Sequence, residues 1–141
     1  MPKRKFKFLE HTADIKFQAF GESLEEAFEN SALAMFSVMA DLDKVRPEKK
    51  IIIKVSAPNN EELLIEWLNA LLSQKDIKNM LFSKFNVVLK GNEIEAVAYG
   101  SIIEEKKQEL KTEVKAATYS ELKVEYDQAK KKYICQVVVD V

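Results

Sequence analysis

The sequence is poor in the residues on which many active sites depend. Among its 141 residues are one histidine, one cysteine, three glycines and three prolines. The lone Cys135 excludes an internal disulfide and a thiolate metal cage, which suits a reducing cytosol. A Ser-His-Asp set would have to use His11, the only imidazole, and no G-x-S-x-G turn supports one. No GxGxxG segment or P-loop is present to cradle phosphates. An excess of one charge is lacking too, since 22 basic and 23 acidic side chains leave a formal net charge of −1. That balance argues against an electrostatic nucleic-acid binder, since such binding rests on Lys and Arg neutralising many phosphates. Long apolar runs are also missing. Ile51-Ile52-Ile53 and Val137-Val138-Val139 fall far short of the ~20 residues of a membrane span. The basic residues 1–7 are not followed by the apolar stretch of a signal peptide. The expectation is a cytoplasmic protein with no membrane association.

What is present is regular structure. Hydrophobic residues at 47% and charged residues at 32% describe a globular chain, and this length is enough to bury a substantial core. No repeat, linker or shift in composition divides residues 1–141, so a single domain is expected. Phe6 and Phe8 mark one strand; Ile15, Phe17 and Ala19 alternate with Lys16 and Gln18 to mark a second. Ser23-Leu24-Glu25-Glu26 is a capping box, in which the serine hydroxyl and the glutamate satisfy orphan donors at a helix start. Leu24, Ala27, Phe28, Ser31, Met35, Val38 and Met39 follow at helical spacing to about Ala40. A strand over 51–57 stops at Pro58. Asn59 and Glu62 repeat the cap pattern before a second helix carrying Leu63, Leu64, Trp67, Leu68, Leu71 and Leu72. Four strands follow, over 82–89, 94–98, 122–126 and 133–139, with turns at Gly91-Asn92 and near 127–132. The order implies an α+β fold, two amphipathic helices packed on a largely antiparallel sheet. Trp67 and Cys135 belong to its core, the mixed-charge run 104–109 to a solvated loop or hairpin tip, and Lys130-Lys131-Lys132 to a short basic turn, enough to touch a phosphate but too short to argue RNA binding.

Two carboxylates stand apart from the charged helix faces. Asp14 lies in His11-Thr12-Ala13-Asp14, between two apolar strands, and Asp140 follows Val137-Val138-Val139 with Val141 behind it. If the fold brings these together, the two side chains and the carboxyl of Val141 form an oxygen-only donor set. Such a set suits Ca²⁺, or Mg²⁺, rather than zinc. The alternative is that Asp14 caps a turn and Asp140 is an exposed terminal residue; spacing alone leaves both open. His11 is either functional or a hydrogen-bonded structural residue. The stretch 111–120 is neither a clean strand nor a long helix, and it reads either as a functional loop or as a structural crossover.

His11-Thr12-Ala13-Asp14, Glu62-Leu63-Leu64 with Trp67-Leu68, Val114-Lys115-Ala116-Ala117-Thr118-Tyr119 and Val138-Val139-Asp140-Val141 together resemble the archease family. The likeness runs the whole length of the chain in the family's order. It implies an accessory protein with no reaction of its own, so no catalytic residue is assigned. Archeases activate the GTP-dependent RtcB-type tRNA-splicing RNA ligase, promoting its guanylylation and multiple turnover. They have also been associated with a tRNA cytosine-5 methyltransferase as chaperone-like modulators. The resemblance implies a calcium site at Asp14, Asp140 and Val141, protein partners of these two kinds, and an indirect association with tRNA. Two positions depart from the family: Ser120 stands where histidine usually follows the tyrosine, and Ser101 where glutamate usually follows Gly100.

Overall fold

The computed structural model describes residues 4–10 and 13–141. Seven strands and three helices follow in the order β1 (Phe6–Leu9), β2 (Ile15–Gly21), α1 (Leu24–Met39), β3 (Lys49–Ser56), α2 (Asn60–Lys78), β4 (Met80–Lys90), β5 (Glu93–Ile102), α3 (Glu105–Gln108), β6 (Ala116–Asp127) and β7 (Lys132–Asp140). The strands form two sheets rather than one. A four-stranded sheet has the order β1-β2-β7-β6 and a three-stranded sheet the order β3-β5-β4, antiparallel throughout. Both α1 and α2 touch strands of both sheets.

Local chemistry sets the helix starts as expected. The Ser23 hydroxyl accepts from the Glu26 N–H at 3.1 Å, the Glu26 carboxylate accepts from the Glu22 N–H at 2.9 Å, and Asn59 accepts from the Glu62 N–H at 2.8 Å. Packing against both sheets leaves α1 little solvent-facing surface, so its buried side includes Asn30 and Ser31 as well as Phe28, Met35 and Phe36. Those polar groups are satisfied by main-chain carbonyls. Asn30 donates to the Phe20 carbonyl and Ser31 to the Ala27 carbonyl. Trp67, fully buried, donates its indole N–H to the Phe28 carbonyl and meets Phe85 edge-on, tying α2 to α1 and to β4. Cys135 is fully buried, and burial pushes its thiol up to about 12.

Two expectations need correction. Residues 116–120, expected as either a functional loop or a structural crossover, open strand β6. The run 104–109 contains the short helix α3, and its Gln108 is buried. The Gln108 amide donates to the Ser101 hydroxyl and the Ile102 carbonyl and accepts from the Glu104 N–H, so it is a structural clip.

Helices α1 and α2 each also cover a sheet edge with one side chain. Asn69 of α2 pairs twice with Ala117 on the outer edge of β6, accepting from its N–H at 2.9 Å and donating to its carbonyl at 3.2 Å. Glu29 of α1 accepts from the Val87 N–H on the outer edge of β4 at 2.8 Å. An unpaired edge is open to non-native strand pairing, and these side chains occupy two such positions.

Replacing Asn69 with Ala strands both Ala117 groups in a partly buried site. It should lower stability by about 2 kcal/mol, seen as a lower urea midpoint with an unchanged slope. Burial raises the Glu29 pKa, outweighing the Val87 N–H that lowers it. A carboxyl raised in the folded state favours folding below its unfolded pKa, and that contribution fades as pH rises through the folded value. Glu29→Gln keeps an acceptor for Val87 and removes the charge. It should therefore be more stable than the parent at pH ~7 and lose that advantage below pH ~4, as urea denaturation at the two pH values would show.

Candidate functional site

The pairing of β2 with β7 builds one end of the four-stranded sheet from sequence-distant segments. Ile15 stands opposite Val139, so Asp14 and Asp140 lie one residue beyond the last pair, on adjoining strands. On the other side of β7, Ala116 stands opposite Asp140, and the Lys115 N–H donates to the Asp140 carbonyl at 2.7 Å. Three segments singled out in the sequence thus share one sheet end. Asp14 is partly buried in the bend before β2, and Asp140 is exposed as the last residue of β7. Val141 is partly buried with its side chain packed against the core. His11 and Thr12 lie outside the described residues.

The donors available are carboxylate and main-chain oxygens. Among the described residues no three His, Cys, Asp or Glu side chains are grouped to hold a metal. An ion here would rest on two carboxylates, a Val141 oxygen and water. That composition fits a hard cation and offers nothing to a thiophilic one. On the face shared with these acids, the cation next along β2 is Lys16, whose ammonium lies 3.4 Å from the Glu121 carboxylate. Lys16 is thus engaged by a different acid.

Glu121 reaches Lys16 because β6 is interrupted. Between the pairs Thr118–Val138 and Lys123–Gln136, four residues, Tyr119 to Leu122, stand opposite Val137 alone. Glu121 takes a left-handed conformation there, with φ 52°. The bulge is fastened to β7: Gln136 donates to the Glu121 carbonyl at 2.8 Å and accepts from Gln18 at 2.9 Å, while Thr118 donates to the Val138 carbonyl at 2.8 Å. This covering accounts for Gln136 and Val138 being buried although they point away from the core. It also presents Tyr119, 59% exposed, and the exposed Ser120 beside the acidic end.

Sequence periodicity missed this arrangement because the bulge breaks strand alternation. The visible signal was the unassigned run of small and charged residues before Leu122. The second departure from the family, Ser101, lies elsewhere, on β5. It is buried under α3 at the wall of a cavity of about 580 Å³ that is also lined by Lys44, Arg46, Glu104 and Gln108. The two departures are therefore separate structural matters.

A model of the Archease protein family (MTH1598/TM1083) matches residues 6–141. The protein archease of Sulfurisphaera tokodaii is 44% identical over 140 residues, covering 98% of this chain and 99% of that one. The protein archease of Methanosarcina mazei is 41% identical over 143 residues, with 98% and 97% covered. The solution structure of Methanobacterium thermoautotrophicum protein 1598 superposes with a TM-score of 0.84 at 34% identity, covering 97% of this chain and 99% of that one.

The bulge should depend on Gln136. Gln136→Leu removes the bond to the Glu121 carbonyl and the bond from the Gln18 amide, at a cost of about 1–3 kcal/mol. Limited proteolysis should then cut within 119–122 faster than in the parent protein.

Proposed function

Since the chain belongs to the archease family, we propose that it is an accessory protein that activates a GTP-dependent RtcB-type RNA ligase, promoting guanylylation and repeated turnover. The observation that supports this reading is the meeting of Asp14, Asp140 and the Lys115-Ala116 segment at one end of the four-stranded sheet. In this proposal Asp14, Asp140 and Val141 hold Ca²⁺, with Mg²⁺ the alternative ion. When bound, the ion supplies a fixed positive charge that two exposed or half-exposed carboxylates otherwise lack. The protein's own part is to keep the two strand ends in register and to present the bulge beside them. Tyr119 and Ser120 are accessible there for contact with the ligase.

The test is RNA joining by the cognate ligase with 3′-phosphate substrate in large excess. Product beyond one equivalent of ligase should form only when this protein is present. Asp14→Ala should abolish that stimulation while leaving the unfolding free energy from urea denaturation within about 0.5 kcal/mol of the parent, as expected for an incompletely buried position. Unchanged stimulation by Asp14→Ala would remove the acidic end from the activity. No stimulation by the parent protein, with a ligase of verified activity, would favour the chaperone-like association with a tRNA cytosine-5 methyltransferase.

A further inference from the structure

The four outer edges of the two sheets are not treated alike. Asn69 and Glu29 engage edge groups of β6 and β4, and β1 is only four residues long. The remaining edge is β3, eight residues reading Lys49-Lys50-Ile51-Ile52-Ile53-Lys54-Val55-Ser56.

The direction of its main-chain groups follows from two hydrogen bonds. The Val87 N–H leaves β4 on the side away from β5 to reach Glu29, so Val87 and Ala96 face each other without bonding. Ala96 therefore turns its N–H and C=O toward β3, where it stands opposite Ile53. The Ala57 N–H, donating to the Asn92 carbonyl at 3.1 Å, continues the same alternation. Ile51, Ile53 and Val55 thus bond to β5, while the N–H and C=O groups of Lys50, Ile52 and Lys54 point out of the sheet. Among the described residues, nothing hydrogen-bonds these outward groups.

Side chains add a second layer to this edge. Ile53 is buried, and Ile51 and Val55 pack against the core. On the opposite face Ile52 is 70% exposed, with the exposed Lys50 and Lys54 on either side of it. The strand and the residues entering it carry Arg46, Lys49, Lys50 and Lys54 against Glu48 alone. Among the described residues none of these five makes an ion pair. Glu95 of β5 stands opposite Lys54, but its carboxylate is 3.4 Å from the Lys90 ammonium of β4.

Open main-chain groups call for an extended strand, and the charges choose among strands. A second copy would bring its own lysines to a basic edge. Pairing across a two-fold axis at Ile52 would set Lys50 opposite Lys54 twice, and like charges directly opposite are destabilising. Edge lysines discourage such self-pairing, yet they favour an acidic strand. A segment with an acid two residues to either side of an apolar residue would answer Lys50, Ile52 and Lys54 together.

We propose that the β3 edge binds an extended acidic–apolar segment of a protein partner by antiparallel strand addition, with Lys50, Ile52 and Lys54 continuing the ladder. The contact lies on the three-stranded sheet, whereas Asp14 and Asp140 adjoin the other, and it stands whether or not the protein activates a ligase.

The experiment is fluorescence anisotropy with the full chain and a labelled peptide containing Glu-Val-Ile-Val-Glu, compared with its Lys-Val-Ile-Val-Lys counterpart. The acidic peptide should bind about tenfold more tightly. It should also slow amide hydrogen exchange at Ile52 and Lys54. Ile52→Pro removes only an outward N–H, which an edge strand tolerates, and should abolish binding. Lys50→Glu/Lys54→Glu, at two exposed positions, should reverse the preference between the peptides. Absent binding of the acidic peptide, equal binding of both peptides, or a preference unchanged by the double reversal would overturn the proposal. So would unchanged exchange at Ile52. A concentration-dependent dimer of the parent that Ile52→Pro dissolves, seen by sedimentation velocity, would overturn it and assign the edge to a second copy.

Discussion

The antiparallel pairing of β2 with β7 is the interaction on which the rest of the molecule depends. It joins an early strand to the last one, so the four-stranded sheet cannot close until nearly all of the chain is present. Its buried face carries Phe17, Ala19, Cys135, Val137 and Val139, and a one-residue slip would turn every one of them to the other face. The same register brings Asp14 level with Asp140. Apolar burial therefore fixes the relative position of two charged groups that would repel one another if left to themselves. The acidic end of the sheet is held by the packing beneath it.

The helices contribute more than apolar surface. Lying between the sheets, they use Asn69 and Glu29 to satisfy backbone groups at the free edges of β6 and β4. Ala117, which Asn69 holds, lies a single residue before Thr118, whose pairing with Val138 anchors the β6 bulge. One helix thus fixes where the strand departs from regular pairing, and Gln136 fixes how the departing segment folds back. The exposure of Tyr119 follows from these two amides together.

Much of this was legible in the amino-acid pattern. Both helix caps, the apolar faces of α1 and α2, the burial of Trp67 and Cys135 and the turn at Gly91-Asn92 follow from local chemistry, and the structure shows them. The division into two sheets was not legible, because alternation says which face of a strand is apolar and nothing about which strand lies beside it. Asn69 and Glu29 escaped notice because an amide or carboxylate on a helix looks solvated until a sheet edge is set against it. The bulge escaped because four residues opposite one have no period. Asp14 and Asp140 were conspicuous as acids beside apolar strands, but their placement on adjoining strand ends is a property of the register. Lys130 to Lys132 read as a basic turn too short to argue RNA binding, and Arg4, which lines a cavity with them, is remote in the chain.

The seclusion of Cys135 has a practical consequence. The only thiol in the sequence is wholly enclosed and held in its protonated form, with burial pushing it up to about 12, and it is the thiolate that reacts with alkylating probes. The native protein is thus already silent toward maleimide and iodoacetamide chemistry. A cysteine introduced at an exposed position such as Tyr119 or Lys130 would be its single addressable group. Spectroscopic reporters could then be attached at either end of the four-stranded sheet without first emptying the core of its sulfur.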